Sequence, residues 1–144
     1  MSQINVDIVA PQTGADVTVD GNLIVTGTNN IRPYKVYVAL LAQSSPTANP
    51  LVEVLENSLG TTITWTRSAV GSYVATAGSS VFTEFKTTAF MQNSATVGVA
   101  PGTQLIAGRQ SGTQVSVLTL LNDATSTPAD SRFGLTPIEI RVYS

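Results

Sequence analysis

The stretch Val54–Thr76, VLENSLGTTITWTRSAVGSYVAT, decides the fold class of this chain. Thr61 to Arg67 alternates: Ile63 and the single tryptophan, Trp65, fall on one face, and Thr62, Thr64 and Thr66 on the other. Successive side chains of a strand point to opposite faces, so this segment is a half-buried strand with a β-branched outer surface. Leu59-Gly60 closes the segment before it, and Ser68-Ala69-Val70-Gly71 reads as a turn. Tyr73, Val74 and Thr76 begin a second strand, which makes the pair a hairpin. Trp65 has two readings. Its large aromatic body fits an anchor in a core or interface; the same ring in the open would be a platform on which a sugar stacks.

Outward from that hairpin the same period recurs. Tyr34 to Gln43 is strongly apolar on both faces, with Val36, Val38 and Leu40 against Tyr37, Ala39 and Leu41, so it is expected to be a central strand. Ser44–Pro50 is a polar loop with two prolines. Leu51–Leu55 reads as one helical turn or a strand, the strand preferred, with Glu53 and Glu56 then as exposed charges. Beyond the hairpin, Val81–Gln92 is part loop and part strand, and Ala95–Val99, Leu105–Arg109 and Gln114–Leu121 are strands. Pro101-Gly102 marks a turn. Asn122–Gly134 is the longest loop. In Thr136–Tyr143, Ile138, Ile140 and Val142 alternate with Glu139, Arg141 and Tyr143, so one face is buried. Before Tyr34, Ile4 to Ile8 and Asp16 to Thr28 read as short strands about a turn at Asp20-Gly21-Asn22. The sum is about nine short strands with frequent turns and no amphipathic helix. That is an all-β chain, expected to be an antiparallel β-sandwich of jelly-roll type, residues 34–144, behind a short β lead segment, residues 1–33.

Composition narrows what such a domain can do. The 144 residues suit one domain besides the lead segment. Cysteine and histidine are both absent, which removes disulfides, thiol nucleophiles, imidazole bases and the usual zinc ligands. Charged residues make up 11%, against roughly 25% in an ordinary protein. Threonine, serine, alanine, valine and glycine take their place, and a surface of that kind suits extensive β-structure or subunits packed on one another. The net charge of −2 leaves no basic footprint for nucleic acid. Met1–Asp7 has neither a basic nor an apolar signal-peptide region, and the longest apolar run, Val36–Ala42, is too short to span a bilayer. The chain is therefore expected to be made soluble, without a signal peptide and without a membrane partner.

No constellation of catalytic residues stands out. Two carboxylates must flank a bond for glycoside hydrolysis, and the acids here are scattered, Glu53 and Glu56 being the nearest pair in sequence. Asp16, Asp20 and Asn22, or Asn122, Asp123 and Asp130, are the nearest approach to a calcium loop, and turns account for both groups as well. There is no nucleophile elbow and no phosphate loop. Arg67, Arg109, Arg132 and Arg141 fall at strand ends or on outward faces, where salt bridges or subunit contacts are the expected use. The expectation is no enzyme, no cofactor and no metal.

Several segments share a texture with a known kind of protein: Tyr37–Gln43, Pro50, Val54–Gly60, Ile63–Arg67, Gly71-Ser72-Tyr73 and Ile138–Tyr143. Over most of residues 34–144 the chain resembles small virion structural proteins of phages of the Bacteroidota, including crAss-like phages: head fibres, capsid decorations and tail-fibre tips. The resemblance implies a structural role in a virion, a trimeric jelly roll, assembly with copies of itself and with other virion proteins, and synthesis in the host cytoplasm. The Val-x-Gly-x-Leu-x-Val-x-Gly texture of residues 19–27 resembles the necks of trimeric phage fibres, which would make residues 1–33 the attachment segment. The resemblance names no functional residue.

A second expectation competes, that of a carbohydrate-binding or host-receptor-binding module taking a host surface glycan. It needs aromatic rings that reach solvent. Tyr34, Tyr73 and Phe133 are the candidates, with Trp65 as a ligand or interface aromatic.

Overall fold

A computed structural model describes residues 32–92 and 102–144. The chain divides into two units between Ile31 and Arg32, and everything described belongs to the second. The lead segment, its expected hairpin and the expected strand Ala95–Val99 lie outside the described residues.

Eight strands are found there: β1 Tyr34–Ala42, β2 Leu51–Asn57, β3 Ile63–Ala69, β4 Ser72–Ala77, β5 Thr87–Met91, β6 Thr103–Arg109, β7 Gln114–Leu121 and β8 Gly134–Tyr143. They form two four-stranded antiparallel sheets, one in the order β2-β1-β8-β5 and the other β3-β4-β7-β6. The protein is thus a β-sandwich. The jelly-roll wrapping expected from the sequence is a finer statement, and the pairing does not establish it. The pairs β1–β2, β3–β4 and β6–β7 are hairpins within one sheet, and the chain changes sheet between them.

Alternation places the core as expected. Tyr37, Ala39 and Leu41 of β1 and Ile138, Ile140 and Val142 of β8 meet Ile63 and Trp65 of β3, Tyr73, Ala75 and Ala77 of β4, and Val115 and Val117 of β7. Leu59, Phe82 and Phe133 close the core from loops. A layer of this kind is stabilised mainly by its apolar area removed from water, at roughly 25 cal/mol per Å². Trp65 is the anchor that its position suggested. It is 4% exposed, and its indole N–H donates to the Tyr37 hydroxyl at 3.1 Å, joining the two sheets across the core. A buried indole N–H needs such a partner.

Three boundaries differ from the sequence reading. β1 is central in its sheet, but its outer face is not covered throughout: Val36 is buried there, while Val38 and Leu40 are half-buried. β2 continues to Asn57, because Leu55 is accommodated as a bulge between the pairs Val38↔Glu56 and Ala39↔Val54. The hairpin turn is only Val70-Gly71, since β3 runs on to Ala69. Gly71 has φ 63°, and a Cβ there would sit 2.6 Å from the Ala129 nitrogen and the Thr119 oxygen. Glycine is the one residue that meets both demands.

Candidate interaction site

Two regions of the sandwich differ sharply in how their polar and apolar groups are covered. The first is the end where the β3–β4 turn, the β1–β2 loop and the loop before β8 meet. Arg67 extends along the core face of β3, past Trp65, and reaches Asp130. Nε donates to Oδ1 at 3.0 Å and an Nη to Oδ2 at 2.7 Å, a two-pronged pair whose side chains are 19% and 8% exposed. Oδ1 also accepts the Gly71 backbone N–H at 2.9 Å. The Tyr73 hydroxyl lies 2.9 Å from Oδ1 and 2.6 Å from Gln43 Oε1. It has one proton for two acceptors, so it donates to one at a time. Gln43 Oε1 accepts the Ser131 N–H at 2.6 Å, while its Nε2 donates to the Ala48 carbonyl at 2.9 Å.

The electrostatics follow. The Arg67 guanidinium holds the Asp130 carboxyl down to about 2, with the Gly71 N–H and Tyr73 hydroxyl helping. Burial, then the neighbouring carboxylate, pushes the Tyr73 phenol up to about 12. Neither group is set to exchange a proton near neutral pH, and the bonds of Asp130 and Ser131 tie the loop before β8 to β3, β4, their turn and the β1–β2 loop. It is a clamp.

The second region is the β2 edge of the other sheet. Leu51, Val54 and Leu55 are 61%, 47% and 59% exposed. Among the described residues no strand pairs with the far side of β2. The Arg67 N–H on the free side of β3 donates to Asn49 Oδ1 at 2.9 Å, and β5 and β6 lie against each other where the sheets meet. At the end of β2 the Arg32 guanidinium bonds both oxygens of Glu56, at 2.8 and 3.1 Å.

The four aromatic candidates are placed very differently. Trp65, Tyr73 and Phe133 are in the core, at 4%, 0% and 4% exposure, with the Tyr73 and Phe133 rings 4.6 Å apart. Rings so enclosed offer no face to a sugar; they fill the space between the sheets. Tyr34 alone reaches the surface, on the outer face of the β2-β1-β8-β5 sheet. Its ring lies 5.2 Å from that of Tyr143, and the Arg141 guanidinium sits 4.9 Å from the Tyr34 centroid and 5.1 Å from that of Phe90. Glu139 accepts from Arg141 Nε at 2.5 Å and is the first cause that keeps that guanidinium charged. Beside this stack is a groove of about 170 Å³ lined by Val38, Phe90, Gln92, Pro137, Ile138 and Glu139. Phe90 had been read only as part of a mixed loop and strand segment. It is half-exposed because β5 turns it to the outer face, opposite Glu139.

The acids do not converge. Glu53 stands opposite Leu40 and Glu56 opposite Val38 on the outer face, with Glu56 committed to Arg32. Asp123 Oδ1 accepts from Thr125 N, Thr125 Oγ1 and Thr127 N, which braces its own loop and lowers its pKa, the Thr125 hydroxyl first. With Asp130 held by Arg67, Asp123 and Asp130 serve separate structures. No group of three metal-ligating side chains gathers among the described residues. Of the arginines, Arg67 and Arg141 form salt bridges, and Arg109 Nε donates to the Phe82 carbonyl at 2.7 Å.

Fold and surface together define an all-β sandwich with one clamped end and one open apolar edge. No family model matches the chain, and neither does any curated protein or solved structure.

Proposed function

We propose that this chain is a structural protein that works by assembling with copies of itself, as a capsid-decorating, head-fibre or tail-fibre component of a phage virion. The observation that carries the assembly reading is the β2 edge, where three large apolar side chains stand 47–61% exposed on a seven-residue strand. Natural proteins protect such edges with charge, proline or a covering element, because an unpaired strand is a template for another strand. Here Pro50 precedes the strand and Glu53 lies within it, but the apolar residues remain open, so assembly is the cover that fits. The virion setting comes from the resemblance of residues 34–144 to phage head-fibre and decoration proteins, which implies a trimer. The native mass in solution tests the reading: a stable multiple of the 15.0 kDa chain supports it, and a monomer at every concentration refutes it.

A second reading, binding of a host surface glycan, is favoured by one feature. The half-exposed Phe90 ring borders a groove with Glu139 and Gln92 at its rim, an apolar stacking surface beside planar hydrogen-bonding groups. A glycan array with the protein and its Phe90→Ala variant separates the two readings. Binding that the substitution abolishes favours the module, and no binding by either protein leaves assembly alone.

A further inference from the structure

From the residues around the Phe90 groove we infer that it takes a single uncharged sugar ring, and that the Glu139–Arg141 pair keeps charged sugars out. The inference rests on the glycan reading of this groove and names the class of sugar.

The sheet register fixes the layout. On the outer face of the β2-β1-β8-β5 sheet, Glu139 stands between Val38 of β1 and Phe90 of β5. Pro137 lies on one side of that row, and Arg141, opposite Val36 and Thr88, lies on the other. The groove takes in the Pro137 side, with Val38, Phe90, Gln92 and Ile138 in its lining. At about 170 Å³ it is smaller than the roughly 300–1,000 Å³ of pockets that enclose a drug-sized ligand, so it seats one ring and not a chain. The half-exposed Phe90 ring offers a flat apolar surface to the carbon–hydrogen face of a sugar, and the sugar's hydroxyls then need polar partners. Glu139 supplies one. Its Oε1 accepts from Arg141 Nε at 2.5 Å, and its Oε2 has no partner among the described residues. The exposed Gln92 amide supplies both a donor and an acceptor.

Charge decides among sugars. A carboxylate beside an aromatic ring ordinarily attracts a cation. Here the chain's own Arg141 fills that place, 5.1 Å from the Phe90 centroid and bonded to Glu139. An amino sugar therefore meets a carboxylate that is already matched. A uronic acid meets a guanidinium that is already matched, with the Glu139 carboxylate at the rim. Either charge would lose water without gaining a free counter-charge, which is unfavourable. An uncharged ring carries no such cost.

Ligand-observed NMR on the full chain tests this. The probes are the methyl glycosides of glucose, galactose and mannose, the matching uronic acids, and the matching amino sugars. The expected result is binding of at least one neutral glycoside, with its charged counterparts several-fold weaker and all binding lost in Phe90→Ala. Glu139→Gln frees the Arg141 guanidinium and should strengthen uronic acid binding several-fold. Arg141→Gln frees the Glu139 carboxylate and should do the same for the amino sugar. A gain of binding does not arise from misfolding. Equal binding of charged and neutral counterparts by the wild type, or variants that leave the order unchanged, would overturn the inference while the glycan reading stands. No binding of any of these sugars would overturn both.

Discussion

The clamped end and the β2 edge turn their side chains in opposite ways. At the clamp, polar groups that could face water are turned inward and matched: Asp130 takes Arg67, Gly71 and Tyr73, and Gln43 takes Ser131. At the edge, apolar groups that could be buried are turned outward and left unmatched: Leu51, Val54 and Leu55. A buried ion pair with one partner removed is costly, so the clamp serves the fold of the single chain. An exposed apolar edge gives the single chain nothing, so its value lies in what covers it. Substitutions should therefore divide into those that cost stability and those that cost assembly.

The largest effect on stability is expected between the two regions, at the core they share. Trp65→Ala removes the ring that bridges the sheets and the bond to Tyr37, and should lower unfolding free energy by about 4 kcal/mol in a denaturant titration. Gly71→Ala attacks the clamp through its backbone. It adds strain at φ 63° and drives a Cβ into the Ala129 and Thr119 backbone, for a loss of about 2–3 kcal/mol by the same titration.

Tyr73→Phe is milder, at about 1 kcal/mol, because it removes one hydroxyl shared between two acceptors. Its sharper signature is in pH. The folded carboxyl of Asp130 titrates near 2 against about 3.9 when unfolded. The stability it contributes is full above about pH 4 and is lost as pH falls toward 2. The Tyr73 phenol is raised to about 12 against about 10 unfolded, so its contribution is full below pH 10 and is lost as pH rises toward 12. Tyr73→Phe should flatten the alkaline limb of a melting-temperature profile, and Asp130→Asn the acid limb. Burial raises Tyr37 in the same direction, so part of the alkaline limb remains in Tyr73→Phe.

The smallest effect on the fold belongs to the edge. Val54→Lys exchanges an exposed side chain and should change the stability of the dilute monomer by no more than about 0.5 kcal/mol. It sets a charge in the exposed apolar edge that assembly would cover, so native mass should fall to 15.0 kDa. A variant that unfolds the chain as well would blur the distinction between clamp and edge.

Much of this was legible in the sequence. Period-two alternation and turn spacing located β1, β3, β4, β6, β7 and β8, while β2 read as a strand or a helical turn and β5 only as part of a mixed segment; Ile63 and Trp65 against the threonines gave the buried face of the hairpin directly. Which strand neighbours which was not legible, because alternation reports the face a residue takes and carries no information on partners tens of residues away. β1 beside β8, and β5 on the far side of β8, are pairings of that kind. The clamp was hidden for the same reason: Arg67 and Asp130 are 63 residues apart, and neither stands in a local motif. The open edge was half visible. Leu51–Leu55 read as a strand, but its place at the end of a sheet, and so the exposure of its apolar residues, depends on the sheet order.

The most direct test is the mass of the native protein by light scattering on a sizing column across a range of concentrations. Assembly through the β2 edge predicts a multiple of the 15.0 kDa chain, falling toward the monomer on dilution. A mass of 15.0 kDa at every concentration would contradict it.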